Sequence, residues 1–334
     1  MVKILMFDLK ESEKKFFYKN NVSDFDISFY KESLNETTKL TVSECDETSI
    51  ISVLNQSMIN KTVLDKFKNL RLIAVRSTGY ENIDINICRQ RNIGVVNIND
   101  CKDNSIAQYV LGMIFMLSRN IIRSINDFTN KQNRYDKYEG RDISKLTLGV
   151  IGTGTEGCSV CKLADKIGMK IYAYDLSVNS EIADIVEYVS ILDLLRLSDV
   201  ITIHLPFNKD LYHFLSDSEF EIMKERALLI NTSHPEFIDT RALYKAITQR
   251  KIFGAVLDMI ECENKYYDLK DKSEDLQENC AEILLLIQEM VKNPNVIITP
   301  RIAHNTEDSV EEVLQITFNS IKDFYKGGHL NRVV

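Results

Sequence analysis

The sequence predicts an α/β protein with two doubly wound parallel sheets, and three observations support this fold class. Short apolar runs alternate with amphipathic stretches along most of the chain, a rhythm typical of parallel sheets covered by helices. A glycine-rich turn at residues 152–157 separates an apolar run from a helical pattern. The chain of 334 residues is long enough for about two domains, each with its own core.

The first hundred residues contain most of one predicted sheet. Its strands are predicted from short apolar runs at residues 2–8, 27–30, 50–53, 72–77 and 94–96. Helices are predicted over 11–20 and 63–68, and a polar stretch extends to Glu47. From Ser105 to Ile125, apolar residues recur at helical spacing and predict one long, largely buried helix.

Around and beyond the glycine-rich turn the alternation continues until a charged insertion at 264–278 interrupts it. The predicted strands span 146–151, 171–175, 200–205, 227–231, 254–257 and 296–299, and the predicted helices span 192–197, 217–223, 240–249, 281–291 and 310–325. The segment after Pro300 is too short to form a domain alone, so the two chain ends should meet. We expect one domain from residues 1–101 and 300–334 and a second from 102–299.

The glycine-rich turn predicts a dinucleotide site. Gly152, Gly154 and Gly157 remove side chains that would keep the backbone away from a pyrophosphate, and the following helix offers its N-terminal N–H groups to the phosphates. The next apolar strand ends at Asp175, an acid that hydrogen-bonds ribose hydroxyls and repels a 2′-phosphate. Strand, turn, helix and acid occur in the order that the motif requires, and NAD is favoured as the cofactor.

Composition and cysteine usage limit the partners and the compartment. A net charge of −8 argues against nucleic acid and anionic membranes as partners. No apolar run approaches the ~20 residues of a membrane span, and the N-terminal strand ends too soon in charge for a signal peptide. We therefore expect a cytoplasmic protein. Seven scattered cysteines favour a reducing compartment over a disulfide framework, and for Cys158 and Cys161, a CxxC pair, we expect packing thiols rather than a metal site.

Motifs outside the glycine-rich turn narrow the class of protein. They are VRSTGYENID at 75–84, His204-Leu205-Pro206 with His213, LINTS at 229–233, GAVLD at 254–258 with Glu263, and PNVIITP at 294–300. Together with the turn they resemble the D-2-hydroxyacid dehydrogenase family, and more closely its D-lactate dehydrogenase-like branch. The resemblance covers nearly all of the chain.

This resemblance implies a Rossmann NAD domain inserted into a discontinuous flavodoxin-like substrate domain, a homodimer, and a 2-oxo or 2-hydroxy acid as small-molecule substrate. It implies that backbone amides of Ser77, Thr78 and Gly79 face the substrate carboxylate. Glu156 would bring a carboxylate close to the pyrophosphate and weaken binding unless its side chain turns outward. By resemblance the cofactor lies against Gly152, Gly154, Thr155, Glu156, Gly157, Asp175, Leu205, Pro206, Thr232 and Asp258.

The positions that carry the reaction in the family are only partly matched. Relatives have an Arg directly after the Asn-x-Ser strand end, a Glu after the strand-end Asp, and a His directly after Thr-Pro. This chain has His234, Glu263 and Arg301 there, so Arg and His have exchanged places. Cys101 stands where relatives commonly have a Tyr near the substrate, and His304 stands where the branch often has an aromatic residue facing it.

The exchange allows two functions. In the first, Arg301 polarises the substrate carbonyl while held by Glu263, and His234 or His304 exchanges the proton, because a guanidinium stays protonated and is no base. The chain is then an NADH-dependent reductase of a 2-oxo acid or a related substrate. In the second, it is a catalytically silent NAD-binding homologue with a regulatory or partner-binding role. A reciprocal exchange keeps both residue types, which drift has no reason to do, and this favours the enzyme.

Overall fold

The structure is a computed structural model that describes residues 1–20, 24–98, 104–132, 135–206, 208–263, 266 and 278–334. The chain divides into two compact units, one of Met1–Asp103 with Thr306–Val334 and the other of Asn104–Asn305. Residues 300–305, expected in the first domain, lie in the second unit. The reason is that the backbone N–H groups of Ile302 and Ala303 donate to the carboxylate of Asp258, at 2.8 and 2.9 Å.

The first unit is built on a five-stranded sheet. Its strands are β1 (Val2–Met6), β2 (Phe25–Phe29), β3 (Thr48–Val53), β4 (Leu72–Val75) and β5 (Gly94–Val96), and its helices span Lys14–Lys19, Val42–Glu47, Lys61–Leu64, Ile85–Gln90 and Glu307–Tyr325. All pairings are parallel, in the order β2-β1-β3-β4-β5. This is the strand order of flavodoxin-like sheets.

The C-terminal segment belongs to the first unit because it covers part of that sheet. Phe318 packs on Phe16 and Phe17, with ring centroids 6.0 and 5.4 Å apart. At the sheet edge, the N–H of Val333 donates to the carbonyl of Val95 at 2.8 Å, and the N–H of Val95 donates to the carbonyl of Val334 at 3.0 Å. The two ends of the chain therefore share one core.

The second unit is built on a seven-stranded sheet. Its strands are β6 (Thr147–Ile151), β7 (Lys170–Tyr174), β8 (Glu187–Tyr188), β9 (Val200–Ile203), β10 (Leu228–Asn231), β11 (Gly254–Leu257) and β12 (Val296–Ile298). Its helices span Ser105–Ser118, Ile121–Thr129, Thr155–Ile167, Ile191–Leu197, Asp217–Ile222, Thr240–Thr248 and Glu278–Met290. The strands run parallel in the order β12-β11-β10-β9-β6-β7-β8, and this order reverses between β6 and β9.

Both faces of the second sheet are buried. Val200 and Leu228 belong to one apolar cluster, whereas their neighbours Ile201 and Leu229 belong to another. Side chains of a strand alternate between the two faces of a sheet, so each cluster covers one face. The predicted fold class, two doubly wound parallel sheets with a Rossmann domain, is confirmed.

The prediction of one continuous helix over 105–125 is wrong. Two helices, Ser105–Ser118 and Ile121–Thr129, meet at a bend of 58°, and Asn120 between them has a left-handed φ of 51°. Asn tolerates this conformation well, and its side-chain amide donates to the carbonyl of Glu139 at 3.0 Å. In the part of the chain that the structure describes, no single helix is long and apolar enough to cross a membrane. The two helices of this bent pair together reach the length and apolar composition of a membrane span.

The expectation of unpaired thiols is wrong for one pair of cysteines. Cys262 and Cys280 form a disulfide, with Cα atoms 5.7 Å apart, on either side of the charged insertion. Cys158 and Cys161 are free and buried, as expected for packing thiols. Burial raises the pKa of the Cys161 thiol to about 12, so this cysteine lacks the reactive thiolate of redox motifs.

Candidate active site

The turn between β6 and the helix Thr155–Ile167 is so close that two of its glycines admit no side chain. Gly152 has a φ of 92°, and a Cβ on it would lie 2.4 Å from the carbonyl oxygen of His204. A Cβ on Gly157 would lie 1.9 Å from the carbonyl oxygen of Gly152. By contrast, a Cβ on Gly154 meets no heavy atom within 4 Å. The predicted strand, turn and helix are present, and the turn has an open face at the N-terminus of the helix.

Asp175, which follows β7, holds this turn in place. Its Oδ2 accepts hydrogen bonds from the N–H and the hydroxyl of Thr153, at 2.6 and 3.1 Å, and its Oδ1 accepts from the N–H of Ser177 at 3.2 Å. Burial raises the pKa of Asp175, but these donors outweigh burial and hold the pKa below its ordinary value. The carboxylate is therefore a negative charge beside the turn.

Two buried polar atoms at the same edge of the sheet have no hydrogen-bond partner among the described residues. They are Nδ1 of His204, which follows β9, and Oγ1 of Thr232, which follows β10. The other ring nitrogen of His204 shares a hydrogen bond with the hydroxyl of Thr202 at 2.9 Å. Buried polar atoms normally have partners. Orphaned atoms beside an open glycine turn therefore fit a polar ligand, and the residues present are compatible with a dinucleotide.

Glu156 lies in the first turn of the helix that follows the glycine-rich turn. Its Oε2 lies 3.7 Å from Nδ1 of His204, and its side chain is 46% exposed. The carboxylate is thus partly directed toward the sheet rather than wholly outward. It stabilises the positive end of the helix dipole, the same end that a phosphate would approach.

The four candidate catalytic residues predicted from the sequence follow three neighbouring strands. Because β10, β11 and β12 are adjacent and parallel, the segments after them leave from one edge of the sheet. His234 follows β10, Glu263 follows β11, and Arg301 and His304 follow β12. His304 is exposed. No group of three or more His, Cys, Asp or Glu that could hold a metal ion occurs within the described ranges.

Glu263 and Arg301 are in direct contact. Nε of Arg301 donates to Oε2 of Glu263 at 2.5 Å; the Glu263 side chain is 9% exposed and that of Arg301 is 37% exposed. Arg301 has a left-handed φ of 54°. For a residue other than glycine this costs about 1–3 kcal/mol and persists only where the surroundings impose it. The backbone N–H of Arg301 is fixed by a bond of 2.9 Å to the carbonyl of Asp258.

Asp258 anchors the segment that carries Arg301. Its carboxylate is buried, with the residue 1% exposed, and it accepts hydrogen bonds from the hydroxyl of Thr299 at 2.6 Å and from the N–H groups of Ile302 and Ala303. The hydroxyl of Tyr109 hydrogen-bonds that of Thr299 at 2.5 Å, and burial raises the pKa of Tyr109 to about 12. Asp258 therefore has a structural role in addition to its predicted role in binding the cofactor.

His234 is positioned by its own turn. Its side chain is 38% exposed, and its Nδ1 lies 3.8 Å from Oε2 of Glu236. Pro235 begins a short 3-10 turn, and the amide of Asn231 donates to the carbonyl of His234 at 3.1 Å. Glu236 is not among the residues predicted from the sequence. The sequence does contain a signal for this acid. Glu236 stands two positions after His234, and a turn that begins at Pro235 can bring the two side chains to the same side.

The predicted carboxylate-binding segment lies in the first unit, after β4. The hydroxyl of Ser77 donates to the carbonyl of Gly79 at 2.8 Å, and the amide of Asn97 donates to the carbonyl of Thr78 at 2.8 Å. These two bonds hold the carbonyl groups of Gly79 and Thr78 and so restrain the backbone of the segment. Cys101, the remaining predicted substrate residue, lies outside the described residues.

Comparison with known proteins identifies the class. Residues 111–303 match the family described as D-isomer specific 2-hydroxyacid dehydrogenase, NAD binding domain. The D-specific alpha-keto acid dehydrogenase of Enterococcus faecium is 34% identical over 278 residues, which are 82% of each chain. D-lactate dehydrogenase from Aquifex aeolicus, in complex with NAD and lactic acid, is 30% identical with a TM-score of 0.82 and covers 97% of this chain and 96% of its own. D-2-hydroxyisocaproate dehydrogenase is 26% identical with a TM-score of 0.88 over 99% of both chains.

An open glycine turn at the carboxyl edge of a parallel sheet, where the strand order reverses, defines a Rossmann dinucleotide-binding domain. The chain belongs to the family of D-isomer specific 2-hydroxyacid dehydrogenases, and its second unit carries the NAD-binding domain of that family. NAD is its cofactor.

The geometry of the glycines predicts a contrast in stability. In Gly157→Ala the new methyl group would overlap the carbonyl of Gly152, so the turn must shift, and we expect the thermal unfolding midpoint to fall by about 3–10 °C. Gly154→Ala is the matched control, because its methyl group faces open space and its cost should stay below about 1 kcal/mol. Differential scanning fluorimetry without cofactor checks both variants. Equal midpoints would mean that the turn is not closely packed.

Proposed function

We propose that the protein is a cytoplasmic NADH-dependent reductase of a 2-oxo acid or a related carbonyl compound. The observation that carries the proposal is the contact between Arg301 and Glu263. The acid retained at its family position pairs with the arginine at position 301, and His234 supplies an imidazole after the neighbouring strand β10. The names of the relatives, which act on alpha-keto acids and lactate, support the substrate class.

The roles follow from the chemistry of each group. NADH supplies the hydride when it is bound. Arg301 stabilises the negative charge that develops on the carbonyl oxygen, since a guanidinium remains protonated and donates from a fixed fork. His234 donates the proton to that oxygen, because histidine is the side chain that most often serves as a general acid. Glu236, whose Oε2 lies 3.8 Å from Nδ1 of His234, is at ion-pair distance and would stabilise the charged form of the ring.

The binding roles are part of the same proposal. Ser77, Thr78 and Gly79 of the first unit bind the substrate carboxylate through backbone amides, and this unit is the substrate domain. In the second unit the cofactor is held by the glycine turn and by the residues at the carboxyl edge of the sheet. They are Gly152, Gly154, Thr155, Glu156, Gly157, Asp175, Leu205, Pro206, Thr232 and Asp258.

Single substitutions separate the proposed catalytic roles. Arg301→Ala should lower kcat/KM by about 10²–10³-fold through the loss of charge stabilisation, and His234→Ala should lower it by about 10²–10⁴-fold through the loss of the proton donor. His304→Ala is the matched control and should stay near the unmodified rate. The measurement is NADH oxidation with a panel of 2-oxo acids.

Three outcomes of that panel distinguish the alternatives. Full turnover in both His234→Ala and His304→Ala contradicts a histidine proton donor. Saturable NADH binding without turnover on any substrate supports the catalytically silent homologue instead. The double exchange His234→Arg with Arg301→His restores the family arrangement, so a gain of D-lactate dehydrogenase activity would assign the native pocket to a different substrate.

Glu156 should weaken cofactor binding. In Glu156→Gln the carboxylate beside the pyrophosphate site loses its charge, and we expect NADH to bind about fivefold more tightly at low salt. Asp165→Asn, at the other end of the same helix, is the matched control and should leave the dissociation constant unchanged. Fluorescence titration with NADH measures both, and the gain should shrink as salt screens the charges. Weaker binding by Glu156→Gln would show that its carboxylate assists the cofactor.

A homodimer through the helix Ile121–Thr129 is the proposed assembly. Ile121, Ile125 and Phe128 lie on one face of this helix and are 37, 56 and 83% exposed, and Phe115 of the preceding helix is 40% exposed. Ile125→Ser with Phe128→Ser should convert a dimer into a monomer in sedimentation velocity. Tyr18→Ser, which removes another exposed aromatic residue, should leave the sedimentation coefficient unchanged. A monomer before substitution would contradict the proposal.

A further inference from the structure

The disulfide between Cys262 and Cys280 joins two segments of the second unit. Cys280 lies near the N-terminus of the helix Glu278–Met290, and Cys262 lies in the segment after β11. Both cysteines are half-buried, so solvent reaches the bond region. The bond closes a loop with a sequence separation of 18 residues.

The helix end is fixed without the disulfide. Arg241 donates to both carboxylate oxygens of Glu282, at 3.1 and 2.6 Å, and it also contacts the side chain of Asn279. The apolar face of this helix is buried in the core, including Ile283 and Leu284. Reduction of the disulfide would therefore leave the helix where it is.

The other end carries the proposed catalytic acid. Glu263 follows Cys262 directly, and its carboxylate contacts Arg301. Upstream, Glu261 is anchored by the hydroxyl of Thr240 at 2.5 Å and by Nε2 of His213 at 3.0 Å. Between these two acids the backbone of Cys262 has a left-handed φ of 57°. This conformation is unfavourable for cysteine and needs a constraint to persist.

We propose that the Cys262–Cys280 disulfide is a reversible redox switch that positions Glu263 against Arg301. The inference rests on the proposed function, in which Glu263 holds the polarising cation. In the oxidised form the covalent link to a fixed helix maintains the backbone turn at Cys262 and directs the Glu263 carboxylate to Arg301. In the reduced form that turn relaxes and the pair separates.

The exchange reaction is that of a dithiol reductant of the thioredoxin class. One thiolate of the reductant attacks a sulfur of the protein disulfide and forms a mixed disulfide, and the second thiol then displaces the protein sulfur. Two electrons and two protons pass to the protein, which gains two thiols, while the reductant becomes a cyclic disulfide. In a reducing compartment, disulfides of this kind are transient and regulatory.

The other described cysteines are poor competitors for this role. Cys88, Cys158 and Cys161 are buried, and burial raises the pKa of Cys88 to about 11 and that of Cys161 to about 12. Cys45 is half-buried, and burial raises the pKa of its thiol above the ordinary value. Thiols that stay protonated are weak nucleophiles. Exchange should therefore concentrate at Cys262 and Cys280.

The test measures the contact of Arg301 with Glu263 apart from activity. The full-length protein, oxidised or treated with dithiothreitol, is reacted with phenylglyoxal, and peptide mass spectrometry follows modification of Arg301. Because the Glu263 carboxylate accepts a hydrogen bond from Nε of Arg301 in the oxidised form, Arg301 should react several-fold faster after reduction. Glu263→Gln should react fast in both forms, and Cys262→Ser with Cys280→Ser should react fast without reductant. Cys45→Ser is the matched thiol control and should retain the redox difference.

Kinetics on the same samples separate positioning from general damage. Reduction should lower kcat several-fold, and reoxidation should restore kcat. The NADH affinity and the circular dichroism spectrum should stay unchanged. Equal Arg301 reactivity in both forms, with Glu263→Gln still fast, overturns the switch. A bond that a thioredoxin-class dithiol fails to open also overturns it. If Arg301 reactivity depends on the redox state but no 2-oxo acid is reduced, the proposed function fails and the switch stands. If a 2-oxo acid is reduced at the same rate in both redox states and this turnover requires Arg301, the switch fails and the proposed function stands.

Discussion

The hydrogen bonds to the buried carboxylate of Asp258 are the interactions on which the position of Arg301 depends. Donors from the segment after β12 converge on its two oxygens, and its backbone N–H donates to the carbonyl of Asn231 at the end of β10, at 3.0 Å. A charge buried to this degree is tolerated only when its oxygens have partners. Because the partners lie beside Arg301, satisfying Asp258 also fixes the left-handed backbone from which the guanidinium extends.

The location of the cofactor site follows from the burial of the sheet. Strands buried on both faces leave only their ends for polar chemistry, and the strand order reverses between β6 and β9. The glycine turn follows one of these strands and His204 follows the other, so their backbones approach closely. This approach explains both the requirement for glycine at position 152 and the orphaned nitrogen of His204.

In the proposed site, His at position 234 and Arg at position 301 alter what each nearby acid has to do. An ion pair with a buried partner is costly to break, because the remaining charge lies in a poorly solvated place. While the Cys262–Cys280 disulfide is intact, Glu263 is therefore paired with Arg301, and an imidazole elsewhere needs another acid beside it. Glu236 stands in that position beside His234.

The sequence by itself determined every described strand except the two-residue β8, most helices, the dinucleotide turn and the family, because these depend on local apolar spacing and on glycines within one motif. The same local logic applies to two helices that were not predicted: Val42–Glu47 has a capping box of Thr41 and Glu44, and Ile85–Gln90 has Asp84 as its N-cap. Only the tertiary structure decided the break at Asn120, the pairing of Cys262 with Cys280, and the partner of Arg301. Each of these joins residues far apart in the chain, and their distances are set by how strands and helices pack rather than by any spacing along the sequence.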